Sequence, residues 1–163
     1  MVALKRILVA TDFSEPSAVA LAYGRDFARS YGAQLHVLHV VEDVVMRYTP
    51  EVGFALPQLQ QDLEQAARRE FEKLITEDDR RTLDVVTMVQ TSLNIAEAIA
   101  RYAEEQKIDM IITGTHGRGG VKHFLIGSVA ERVVRTAPCP VLTVHSHERD
   151  FIAPDAMVAS AKA

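Results

Sequence analysis

Five short apolar runs recur along the chain: Ile7-Leu8-Val9-Ala10, Leu35 to Val41, Val85-Val86-Thr87-Met88-Val89, Met110 to Thr113, and Val141-Leu142-Thr143-Val144. The first two are apolar without alternation, the mark of strands covered on both faces. Between the runs, apolar residues return at helical spacing. Ala20, Tyr23, Phe27 and Tyr31 form one such stripe, Leu59, Leu63, Ala67, Phe71 and Leu74 a second, and Ile95, Ile99, Tyr102 and Ala103 a third. Strands that alternate with helices pair in parallel through right-handed crossovers, so the pattern predicts one layered α/β domain. At 163 residues with no internal repeat, the chain is one domain's worth.

Local signals sharpen the outline. Ser14 stands where the first helix needs an N-cap, Pro16 suits its first turn, and Gly32 is placed to end it. Asn94 with Glu97 has the spacing of a capping box. Asp78-Asp79-Arg80-Arg81 separates the second helical stripe from the third strand. Glu42 to Pro57, with Pro50, Gly53 and Pro57, has no clear period and reads as a long loop, either a lid over a ligand or plain surface. His36 and His39 lie three apart in a strand and so face opposite sides, which makes them packed core histidines and not a metal pair. His145 and His147 would share a face, but two ligands do not make a metal site. Residues 1–147 form the domain, and 148–163, with Pro154 and an alanine-rich end, read as a poorly ordered tail.

Composition excludes several functions. The formal charge is −4 and Lys and Arg are scattered, which argues against a broad nucleic-acid footprint. The apolar run after Lys5-Arg6 is too short for a signal peptide, and no run approaches the ~20 apolar residues of a membrane span, so a cytoplasmic location is expected. Cys139 is the sole cysteine, so no intrachain disulfide can form. Between Pro138 and Pro140 it reads as a small packed side chain at a strand entrance.

The chemistry concentrates between Thr113 and Val129, where a glycine-rich stretch without a carboxylate joins the fourth strand to a helix. Bare backbone N–H groups in such a connection can approach an anion, and the helix N-terminus adds partial positive charge. Neither G-x-x-x-x-G-K-[ST] nor G-x-G-x-x-G is present. What does fit is G-x2-G-x9-G-[ST], through Gly114, Gly117, Gly127 and Ser128.

That spacing resembles the ATP-binding branch of the universal stress protein family. Val9-Ala10-Thr11-Asp12-Phe13-Ser14 is similar to the family's first strand and turn, and Leu38-His39-Val40-Val41 to its second strand. Gly127 to Val133 and Ala137 to Leu142 are similar to its last helix and strand. The family has a glycine after the third strand where this chain has Thr91-Ser92, a departure expected to alter a turn and not the ligand. The resemblance implies an open five-stranded parallel sheet of order 3-2-1-4-5, helices on both faces, of the Rossmann-like type that binds adenine nucleotides. Strands 1 and 4 would then be neighbours, with the ligand crevice beyond their carboxyl ends.

Roles follow from chemistry and from the resemblance. Gly114 and Gly117 let backbone approach phosphate oxygens, and Gly127 and Ser128 offer N–H groups at a helix start. Arg118 and Lys122, with Arg132 nearby, are placed to neutralise outer phosphates. Asp12 would repel phosphate and belongs on the nucleoside side or on a bound Mg²⁺, unless it only caps its own loop. The resemblance implies that the backbone at Val40 reads adenine and that Ala10, Thr11, Thr113, His116 and Val129 line the site. No set of residues reads as catalytic. An ATP-binding stress-response regulator, homodimeric through its last strand, is the leading expectation. A slow Mg-dependent ATPase or nucleotidyl-transfer enzyme and a nucleotide-free interaction module are the alternatives.

Overall fold

The computed structural model describes residues 2–52, 55–115 and 127–145. Its strands are β1 (Arg6–Ala10), β2 (Gln34–Glu42), β3 (Val85–Ser92), β4 (Met110–Gly114) and β5 (Val141–Val144). They form one parallel sheet in the order β3-β2-β1-β4-β5, the order that the family resemblance implies. The helices among the described residues are α1 (Glu15–Tyr31), α2 (Val44–Val52), α3 (Leu56–Leu74), α4 (Glu77–Thr82), α5 (Ile95–Glu105) and α6 (Ser128–Thr136).

Successive residues of each central strand serve opposite faces. Ile7, Val9, Leu35 and Val37 pack with Ala20, Leu21 and Tyr23 of α1 and Phe71 of α3. Leu8, Ala10, Leu38 and Val40 pack with Ile99, Tyr102 and Ala103 of α5 and Val133 of α6. Six of those strand residues (Ile7, Leu8, Val9, Leu35, Val37 and Leu38) are 0% exposed, which is why β1 is a continuous apolar run and β2 is largely apolar on both faces. A Cβ on Gly24 would run into Val9 Cγ2, so only glycine lets α1 lie this close to β1. Gly32 ends α1 in the left-handed region at φ 62°, and its N–H bonds to the Ala28 carbonyl.

The two strand histidines lie on opposite faces, each hydrogen-bonded. His36 Nδ1 is 2.8 Å from Tyr102 Oη and its Nε2 2.8 Å from Gln34 Oε1, while His39 Nδ1 is 2.8 Å from the Thr11 carbonyl. Cys139 packs against the α5/α6 layer, and burial pushes its thiol pKa up, away from a reactive thiolate.

Three expectations need correction. Most of Glu42 to Pro57 is helical and not loop: α2 occupies Val44–Val52 and α3 begins at Leu56. Asp43 caps α2 by accepting from the Met46 N–H at 2.8 Å, and Pro57 falls in the first turn of α3, where a missing N–H costs nothing. Asp78 to Arg81 do separate α3 from β3, and they do so as α4, started by a reciprocal capping box between Thr76 and Asp79. The buried side of α3 is Leu56, Gln60, Ala67 and Phe71, whereas Leu59 and Leu63 are 45% and 38% exposed. Polar ties override the leucine stripe there: Gln60 Oε1 accepts from the Val44 N–H at 3.0 Å, and Thr91 Oγ1 donates to Glu64 at 2.7 Å. The capping box at α5 is half formed. Asn94 accepts from the Glu97 N–H, but its own N–H goes to Ser92 Oγ. Thr91 and Ser92 thus extend and close β3 where a glycine was absent.

Candidate nucleotide site

β1 and β4 are adjacent, with Ala10 opposite Thr113. Their following helices cross on opposite faces, so a crevice opens between the two strand tips. One loop on each side forms it.

The β1 loop is held by its own side chains. Asp12 Oδ1 accepts from both the Ser14 N–H and the Ser14 hydroxyl. Ser17 Oγ donates to the Ser14 carbonyl at 2.9 Å, and Thr11 Oγ1 donates to Ser17 Oγ at 3.0 Å while accepting from the Phe13 N–H at 3.0 Å. Ser14 is therefore the N-cap of α1 by position only: its hydroxyl serves Asp12 and not the helix. Phe13 sits in the left-handed region at φ 62°, unusual for a non-glycine residue. Its ring is pinned between His39, at 4.5 Å centroid distance, and Phe71, at 5.3 Å edge-on. Those contacts hold a backbone conformation that otherwise costs ~1–3 kcal/mol.

The β4 side is anchored at one residue. Thr115 is 1% exposed; its N–H bonds to the Val144 carbonyl at 2.9 Å and its Oγ1 lies 2.7 Å from His145 Nδ1. Its carbonyl accepts from the Gly127 N–H at 2.6 Å. That last bond brings the start of α6 back to the tip of β4. Gly127 is the N-cap and, having no side chain, gives α6 no side-chain cap among the described residues; Ser128 and Val129 are exposed. Gly114 has a packing duty: a Cβ there would lie 2.9 Å from both Pro16 C and Pro16 Cβ. It lets β4 pass against the first turn of α1.

The structure therefore brings Ala10, Thr11, Asp12, Thr113, Gly114, Gly127 and Ser128 to one edge of the sheet, with Val129 one residue further along α6. Val40 lies on β2 two residues beyond Leu38, the partner of Ala10, and is 7% exposed. His116, Gly117, Arg118 and Lys122 lie outside the described residues, as does His147 with the tail. Among the described residues no group of three or more His, Cys, Asp or Glu could hold a metal ion. None of the described helices is long and apolar enough to cross a membrane. A depression of about 180 Å³ lined by Thr11, Phe13, Ser17, Glu70 and Lys73, among others, opens on the α1/α3 side of the β1 loop. Glu70 and Lys73 pair with each other there at 2.7 Å.

Thr115, Phe13 and His39 were not singled out as site-forming by sequence reasoning. Thr115 carries a weak signal, as a hydroxyl residue inside the glycine stretch. Phe13 carries none, because its role depends on Phe71, far along the chain.

A model of the universal stress protein family matches residues 3–145. A universal stress protein from Thermus aquaticus is 36% identical over 146 residues, covering 86% of this chain and 98% of its own. The solved structure of MJ0577, a universal stress protein of Methanocaldococcus jannaschii, superposes with a TM-score of 0.78 at 29% identity, covering 91% of this chain and all of that one. A universal stress protein solved in complex with cAMP has a TM-score of 0.57 at 22% identity and shares the fold. The match runs through all five strands and both crevice loops, and the chain belongs to the universal stress protein family.

Proposed function

We propose that the chain binds an adenine nucleotide, ATP foremost, and works in the cytoplasm as a homodimeric stress-response regulator whose bound nucleotide biases its shape or its partners. The observation that carries this reading is the Gly127 N–H bond to the Thr115 carbonyl, which seats the uncapped start of α6 at the tip of β4 beside the β1 loop. The first-turn amides and the helix dipole there suit phosphate oxygens. Gly117, Arg118, His116 and Lys122, between those two anchors in sequence, would complete the phosphate side. Asp12, Thr11, Ala10, Thr113, Val40 and Val129 would take the nucleoside side, and Mg²⁺, if carried in with ATP, would meet Asp12. The protein of the same fold solved with cAMP is consistent with this ligand class. Asp12 is already engaged by Ser14, which favours a structural role for it over general-base work and a binding protein over an ATPase.

Calorimetric titration with ATP and GTP tests the reading. The wild type should bind ATP, and Gly127→Val or Ser128→Leu should abolish binding without lowering the melting temperature of the apo protein. An apo protein that neither carries nucleotide on purification nor is stabilised by ATP would overturn it. Pairing through β5, an edge strand, is tested separately. The Pro140 and Val144 carbonyls face β4, so the N–H of Thr143 points away from the sheet. Thr143→Pro should leave the monomer folded and convert a dimer to monomers in sedimentation.

A further inference from the structure

The bonding sides of β2 can be read from its ends. The Gln34 N–H goes to the Lys5 carbonyl and the Leu38 carbonyl accepts from the Thr11 N–H, whereas the N–H groups of Leu35 and Asp43 go to the Asp84 and Ser92 carbonyls. In a parallel strand the N–H and C=O of one residue point to the same side, and the side alternates along the strand. Even-numbered residues of β2 therefore bond toward β1 and odd-numbered ones toward β3. Val40 is even-numbered and lies past Leu38, the last β2 residue in register with β1. Its N–H and carbonyl are thus aimed at the space beyond the tip of β1, where the crevice opens.

A regular ladder would close that space by one more bond. With the Thr11 N–H on the Leu38 carbonyl, the Thr11 carbonyl would accept from the Val40 N–H. That bond does not form among the described residues. His39 Nδ1 lies 2.8 Å from the Thr11 carbonyl instead. A carbonyl only accepts, so Nδ1 carries the hydrogen, whether the ring is neutral or charged. The ring is also held by Phe13, at 4.5 Å centroid distance. A side chain has thus taken the place of a main-chain donor, and β2 keeps an amide that β1 does not use. At a residue only 7% exposed such an N–H is costly to leave unmatched, and a ligand that brings an acceptor relieves the cost.

We infer that His39 is a positioning residue of the nucleotide site: by taking the Thr11 carbonyl it stops the β1–β2 ladder one bond short and keeps the Val40 N–H open to an acceptor on the nucleobase. The inference rests on the nucleotide-binding reading above and adds to it the side chain that makes the Val40 main chain available. His39 shares its sheet face with Val37, which packs in the α1/α3 layer, so it acts from behind the strand tip and not as a ligand contact.

Two variants and two readouts test it. His39→Leu removes the donor, and His39→Asn keeps an N–H near the place of Nδ1. In His39→Leu the Thr11 carbonyl should turn to the Val40 N–H. That amide should then exchange with deuterium about tenfold more slowly than in the apo wild type, and ATP binding by calorimetry should weaken about tenfold. His39→Asn should keep the wild-type values of both. Loss of a packing contact alone would speed exchange, so the sign separates positioning from mere stability. A leucine variant whose Val40 amide exchanges no more slowly, or that binds ATP as the wild type does, would overturn the inference. So would an asparagine variant that behaves like the leucine one. Those outcomes leave the nucleotide reading standing, whereas a wild type that binds no ATP would remove that reading and the positioning role with it.

Discussion

The two loops of the crevice are built on opposite plans. The β1 loop satisfies itself: Thr11, Asp12, Ser14 and Ser17 exchange hydrogen bonds, and Phe13 is clamped by two rings. The β4 connection is tied at its base by Thr115 and then presents the bare start of α6. One side is a finished wall whose polar groups are mostly spoken for. The other, among the described residues, starts its helix on a glycine that provides no side-chain cap. A site for a charged molecule uses both, because a rigid wall limits reorganisation on binding while a helix N-terminus supplies attraction.

The largest expected effect comes from joining the two plans by force. Gly114→Val puts a branched side chain where Pro16 backbone and ring already lie 2.9 Å away. It should push β4 from the start of α1 and cost about 2–3 kcal/mol in urea denaturation. An unchanged midpoint would show that the two loops are less tightly apposed than the contact implies.

A smaller effect separates ring clamp from backbone strain in the β1 loop. Phe13→Ala loses the contacts with His39 and Phe71 yet keeps φ 62°, whereas Phe13→Gly loses the same contacts and removes the steric penalty. The glycine variant should be more stable than the alanine variant by about 1 kcal/mol, against the usual order of the two residues. The reverse order would mean that the loop relaxes once the ring is gone.

The smallest effect is a control remote from both loops. Burial and then the neighbouring Arg6 hold the His36 pKa below 6.5, against a weaker opposite pull from Asp84. The unfolded chain therefore takes up the proton first as pH falls, so the stability present above 6.5 declines on the acid side. Asp79 acts at lower pH. Burial raises its pKa, but hydrogen bonds from Arg25 and Thr76 outweigh that and leave it below 3.8. Its contribution is present above 3.8 and is lost as pH falls through the lower, folded value. Thermal melts from pH 8 to 3 should show both declines, with His36→Gln flattening the first and Asp79→Asn the second. Two variants that both track the wild type would place the acid sensitivity elsewhere, in the loops themselves.

Much of this was legible in residue order. The strands of the sheet followed from apolar runs, and the end of α1 from Gly32. The helix at Val44–Val52 was missed because Pro50 and Gly53 look like breakers, while the Asp43 cap that starts it is a single residue with no distinctive neighbours. The leucine stripe of α3 misled for a related reason. Periodicity shows that a helix has an apolar side, but here Gln60 and Glu64 are turned inward by Val44 and Thr91, which no local pattern contains.

Residue order alone determined the five strands, the helices α1, α3 and α5, and that glycine and serine would stand at the start of α6, because propensity, periodicity and spacing act over a few neighbours. Tertiary structure decided what those residues do. Gly114 is a contact point for Pro16, Ser14 serves Asp12 in place of its helix, and His39 takes the Thr11 carbonyl. Each of those facts depends on which distant atoms come within 3 or 4 Å, and that is set only when the layers close on the sheet.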